Sequence, residues 1–210
     1  YYPMVLVHDP FVPTPNDKDA KPTNKENKKT RKKYFGSMMA YMDKLVGKIV
    51  NKVDSIGQLE NTIILFTADN GTHPKITSKW QGKNIKGGKA QMTDMGTHVP
   101  FVAYWKGHTP QGQQLNDLID FTDFYPSLAD AAGIKLGSDD PVDGRSFFAR
   151  LKGESANERQ WALNFYQCYW NKKPGLFVRT AKFKLYGNGK MFEPANDLNE
   201  KKEITSALNN

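Results

Sequence analysis

The 210 residues contain a single cysteine, Cys168. No intramolecular disulfide and no cysteine-rich metal centre can therefore form within the chain. Its setting, "FYQCYWN", is apolar and aromatic, which suits an inert buried thiol and says nothing of compartment. No run of about 18 apolar residues occurs, which excludes a membrane-spanning helix. No charged n-region precedes an apolar core either, since the sequence opens on "YYPMVLVHDPF". A domain seldom begins inside an apolar strand, so the expectation is the later portion of a longer protein. Acidic residues are scarce: 22 Asp and Glu face 30 Lys and Arg, a net charge of +8. That balance favours anionic partners such as nucleic acid or phosphorylated and sulfated molecules. No nucleic-acid motif accompanies it, which argues against that partner.

What is present is enough for a folded α/β chain. Hydrophobic residues make up 38% and aromatic residues 12%, which excludes wholesale disorder. Eight of the cationic residues fall between Lys18 and Lys33, against two acidic ones. They form either a solvated loop feeding a helix or a rim that recruits an acidic polymer. "PMVLVH" reads as a short apolar strand, followed by a proline-rich extended loop. Phe35, Met38, Met42, Leu45, Ile49, Val53 and Ile56 then recur at three- and four-residue spacing, the apolar face of a long helix ending near Gly57. "NTIILFTAD" and "VPFVAYW" read as buried strands, separated by a long polar loop of the kind that is functional or disordered. "NDLIDFTDFYPSLADAAGI" reads as a helix with Pro126 in its first turn. Strand and helix alternate up to about residue 145, and short antiparallel strands with a hairpin at "YGNGK" follow over 146–210.

In open α/β sheets, ligands gather beyond the carboxyl ends of strands. Three groups fall there: His8, the pair Asp69 and Asn70, and Lys89. Asp69 and Asn70 offer hard oxygens that suit calcium or magnesium rather than zinc, but two donors are too few for calcium. "DNG" is equally a plain turn sequence. Lys86 and Lys89 flank two glycines that would let an anionic oxygen approach closely, or they belong to an ordinary basic loop. His8 reads equally as a histidine satisfied at a strand end.

The order of these blocks resembles the C-terminal portion of a type I, arylsulfatase-like sulfatase of the alkaline phosphatase superfamily. "YYPMVLVHDPFVPTP", "NTIILFTADNG", "KGGKAQMTDMGTHVPFVAYWKG", "LIDFTDFYPSLADAAG", "DGRSFFARLKGE" and "FKLYGNGKMFEP" are similar to the family's blocks in sequence order. The resemblance implies part of a mixed sheet flanked by helices (1–145), with a small antiparallel β subdomain (146–210). It implies that Asp69 and Asn70 are calcium ligands and that His8 and Lys89 hold the sulfate as catalytic groups. His73 and His98 are candidates to face the sugar or aryl group, with a structural role as the alternative for each. Related metallophosphatases carry Asp-His where this chain has Asp69-Asn70, which favours sulfatase over phosphatase or phosphodiesterase.

Two departures qualify the resemblance. Asp94-Met95 and His98 stand where the family usually has Glu-Gly and Arg, a variation expected to touch substrate contacts. The family's nucleophile, a formylglycine made within Cys/Ser-x-Pro-x-Arg, has no counterpart in the 210 residues, nor do the N-terminal metal aspartates. The expectation is thus a periplasmic or secreted, calcium-dependent sulfuric ester hydrolase acting on sulfated carbohydrate or aryl sulfate. The 210 residues supply half its active site and are inactive without the N-terminal half, their main protein partner. The other class left open is a non-catalytic binder of anionic glycans.

Overall fold

The computed structural model describes residues 1–18, 20, 32–156, 158–167 and 174–204. Cys168 and most of the basic run after Lys18 lie outside the described residues. The elements are helix α1 (Phe35–Ser55), strand β1 (Ile64–Thr67), a hairpin of β2 (Thr77–Trp80) and β3 (Lys83–Lys86), and the single turn α2 (Asp94–Thr97). Strand β4 (Phe101–Tyr104), helices α3 (Phe124–Ala131) and α4 (Phe148–Leu151) and strands β5 to β8 (Ala162–Tyr166, Gly175–Arg179, Lys184–Tyr186, Met191–Phe192) follow. The architecture is mixed α/β with small antiparallel sheets: β1 with β4, β2 with β3, and β5-β6-β7-β8 in order.

Helix α1 forms where its apolar periodicity places it and ends at Gly57, whose φ of +70 lets the chain turn away. Its first turn packs on the N-terminal segment: Phe11, Met38 and Ile76 are buried together, with Leu6, Val7 and Phe35 against them. The Phe11 and Phe35 rings meet edge to face at 5.5 Å, a favoured aromatic geometry.

The expected strand at "PMVLVH" does not form. Among the described residues no strand pairs with it, and residues 1–6 have no regular structure; an apolar sequence without a partner for its backbone groups gains nothing from extension. The helix expected from about residue 116 starts later, through a 3-10 turn at Phe121–Asp123 into α3, with Pro126 in the first turn. Leu118 bridges to Arg159 instead. The Asp120 carboxylate takes the Thr122 N–H, which fixes that late start. Beneath β4, Phe101, Phe124 and Phe147 form a triad with centroids 5.3 to 5.5 Å apart.

The four-stranded sheet has two unlike faces. Phe177, Lys184, Tyr186 and Phe192 share the inner one, where Lys184 is fully buried with its ammonium 4.1 Å above the Phe177 ring. The Tyr186 hydroxyl donates to Glu200, which also accepts from Lys184 at 3.0 Å. Burial, and then the Glu200 carboxylate, push the Tyr186 phenol well above its ordinary value. The folded state therefore holds that proton more tightly than the unfolded chain. The stability it contributes is complete below about pH 10 and is lost as pH rises further. Tyr186→Phe should flatten the alkaline decline in urea midpoint without abolishing folding; an unchanged pH slope would contradict this role.

Candidate active site

The polar stretch after β1 was expected to be a long loop, yet it is built. Gln81 and Gly82 both take positive φ (47 and 76), the two-residue turn that matches strand twist and closes the β2–β3 hairpin. At the hairpin's feet the chain is pressed together. The Gly71 N–H donates to the Gly96 carbonyl (2.9 Å) and the Lys89 N–H to the Thr72 carbonyl (3.0 Å). A Cβ on Gly71 would lie 1.9 Å from the Met95 carbonyl oxygen, and one on Gly96 would lie 2.1 Å from that of Gln91. Only glycine permits these approaches. The turn carrying Asp69 and Asn70, the turn carrying Lys89 beyond β3 and the turn of α2 are thus packed against one another.

Two of the candidate residues meet directly. His8 and Lys89 are 81 positions apart, yet the Lys89 ammonium sits 3.2 Å from His8 Nε2. His8 Nδ1 lies 2.5 Å from the Asp9 carbonyl. A single tautomer serves both contacts: Nδ1–H donates to the carbonyl, and the Nε2 lone pair accepts from lysine. Asp69 is exposed and Asn70 half-buried, directly past the end of β1. His73 packs edge-on to Phe11 at 5.8 Å, and its Nδ1 accepts the Lys75 N–H at 3.1 Å. His98 is exposed at the end of α2, its own N–H donating to the Asp94 carbonyl at 2.9 Å.

Asp94 points away from any open surface. It is buried and pairs with Arg179 of β6 (3.0 Å) and Lys184 of β7 (3.5 Å). The Lys184 ammonium also donates to the Met92 carbonyl. The expected substrate contact at Asp94 is therefore corrected: its carboxylate is committed to the small sheet. Nothing local signals this, because its partners lie 85 and 90 positions away.

Asp69 and Asn70 are the candidate holders of a cation. Their oxygens have the right hardness, but among the described residues no group of three or more His, Cys, Asp or Glu side chains is placed to hold a metal. Calcium takes six to eight oxygens. The donor chemistry fits and the donor number does not, so these residues alone do not make a calcium site.

Such an arrangement, a lysine and a histidine meeting close to a strand-end Asp-Asn turn, defines a class of candidate site in an α/β chain. Comparison with known proteins gives the class its family. The family model described as "Sulfatase" matches residues 6–134. The chain belongs to the sulfatase family. It is 32% identical to human arylsulfatase A over 154 residues, covering 72% of this chain and 30% of that protein. It is 28% identical over 197 residues to an ulvan-active sulfatase of Formosa agariphila, covering 89% and 36%. Among solved structures, a putative sulfatase from Bacteroides thetaiotaomicron superposes with a TM-score of 0.67 at 22% identity, over 84% of this chain and 38% of that one. Ps i-CgsB, solved with k-i-k-neocarrahexaose, gives 0.64 at 27% identity, over 87% and 40%. The chain thus spans well under half the length of these relatives.

Proposed function

We propose that the complete protein hydrolyses sulfate esters of carbohydrates, and that this chain supplies the anion-holding half of its active site. The contact between Lys89 and His8 carries the reading. Two nitrogen groups held on separate segments converge where an ester's sulfate oxygens would lie, and they can stabilise charge as the S–O bond to the alcohol breaks. In this scheme Lys89 holds the non-bridging oxygens and His8 the bridging one. Asp69 and Asn70 are two ligands of a calcium ion whose remaining ligands come from outside the chain, as does the formylglycine nucleophile. His98 faces the alcohol, and His73 has only Nε2 left for substrate, since Nδ1 already accepts the Lys75 amide. No helix among the described residues is long and apolar enough to cross a membrane, and the proposed setting is periplasmic or secreted.

The test uses the full-length protein with 4-nitrophenyl sulfate and sulfated oligosaccharides, with and without a calcium chelator. Sulfate release that stops on chelation and is absent from the isolated 210-residue chain is expected. Faster turnover of 4-nitrophenyl phosphate, restored by zinc, would overturn the reading in favour of a phosphatase.

A further inference from the structure

The β2–β3 hairpin rises from between the two halves of the candidate site, and its surface is basic. From Gly71 to Thr93 there are five lysines and no acidic residue. Lys75, Lys79, Lys83 and Lys86 are all exposed, and none pairs with a carboxylate among the described residues. At the tip Trp80 is 56% exposed. It stands directly opposite Lys83 in the pairing, and the strand alternation puts Ser78 and Ile85 on the same face. An exposed indole beside a cation offers a flat apolar face and a charge together, a combination suited to recognition.

The arm is firmly rooted. Ile76 is buried in the core with Phe11 and Met38. The Gly87 N–H donates to the Ile76 carbonyl at 2.9 Å. A Cβ on Gly87 would come within 2.3 Å of the Thr72 carbonyl oxygen, so the two feet cannot part without losing that contact. Asp69 and Asn70 lie just before one foot and Lys89 just after the other.

We propose that this hairpin is a substrate arm for a sulfated polysaccharide: Trp80 stacks on a pyranose ring while Lys83 and its neighbours pair with further sulfates. The inference rests on the sulfatase reading and sharpens it from carbohydrate sulfate esters in general to polymeric ones. At about 3.3 Å per strand residue, Trp80 stands roughly 10 Å beyond Thr77, further than one sugar ring spans. It therefore meets a residue removed from the ester being cleaved, which a small aryl sulfate lacks. A protein partner fits poorly, because the arm offers one indole and one half-buried Ile85 among lysines rather than the apolar centre of a protein interface. Polyanion binding by unscreened lysines also accounts for the absence of acidic residues.

The test compares full-length wild type with Trp80→Ala and Lys83→Ala. Both side chains are exposed, so both variants should fold. Substrates are 4-nitrophenyl sulfate and four polysaccharides: ι-carrageenan, heparin, chondroitin sulfate and fucoidan. On the best polysaccharide each variant should raise KM about tenfold, with kcat and all parameters on 4-nitrophenyl sulfate unchanged. For Lys83→Ala the difference should fade in about 0.5 M salt. Should the parent hydrolyse no sulfate ester, the sulfatase reading fails, and direct binding of the same polymers decides the arm separately. Tenfold weaker binding by Trp80→Ala supports it. Equal binding by wild type and both variants overturns it, as does equal affinity for desulfated polymer or single-stranded DNA.

Discussion

Replacing Lys89 by alanine in the full-length protein is expected to lower kcat/KM for a sulfate ester by about 10²–10³-fold, the loss typical of removing one preorganised donor to a developing charge. The structure makes this a clean measurement. The ammonium contacts His8 Nε2 at 3.2 Å, and no carboxylate holds it among the described residues. Its backbone N–H, which joins the hairpin's foot to Thr72, survives the substitution. Activity should therefore collapse while the melting temperature barely moves. Lys89→Arg keeps the charge but spreads it over a planar fork, and should restore only part of the rate. His8→Ala should be impaired as well. In the double variant the losses should fall short of multiplying, because in the proposed mechanism the two groups act on one anion. A Lys89→Ala enzyme within threefold of wild type would remove this residue from the chemistry.

Asp94→Ala should produce the largest loss of stability. It leaves Arg179 and the fully buried Lys184 facing each other without the carboxylate between them. Breaking a buried pair from one side costs about 3–5 kcal/mol. The lower end applies here, because Glu200 still neutralises Lys184 at 3.0 Å. A shift on the order of 10 °C in the first thermal transition follows for a unit of this size. Asp94→Asn, which preserves shape and one acceptor, should lose less. A double-mutant cycle with Arg179→Ala isolates the pair; simple additivity would show that the contact contributes nothing.

The sequence made some of this legible and hid the rest for physical reasons. Helix α1 and strands β1 and β4 were plain, because each carries its own periodicity or apolar run and needs little from elsewhere. The hairpin was passed over because Thr77–Lys86 carries only two apolar residues, Trp80 and Ile85, too few for an alternation of apolar with polar. Its turn is Gln-Gly, with glutamine in a conformation usually left to glycine or asparagine. "PMVLVH" failed in the opposite way: its composition suits a strand, but strand formation depends on a neighbour. The candidate site divides similarly. The proximity of His8 and Lys89 could not be read from spacing across 81 positions; it was expected only from the order of whole blocks. The turn of Asp94 toward the small sheet was hidden in both respects.

The Gln81–Gly82 tip has a consequence for how such an enzyme can change its diet. Every constraint on the hairpin acts at its feet, where glycines touch carbonyls and Ile76 enters the core. Among the described residues no hydrogen bond or ion pair joins the tip to His8, Asp69, Asn70 or Lys89. Residues added in pairs, one to each strand, would lengthen the reach and turn the indole to the opposite side. Adding two to each strand would lengthen it and keep the indole where it is. On the proposed reading of the hairpin as a substrate arm, selection or an engineer can thus tune which sugar along a polymer is sensed by altering a handful of codons.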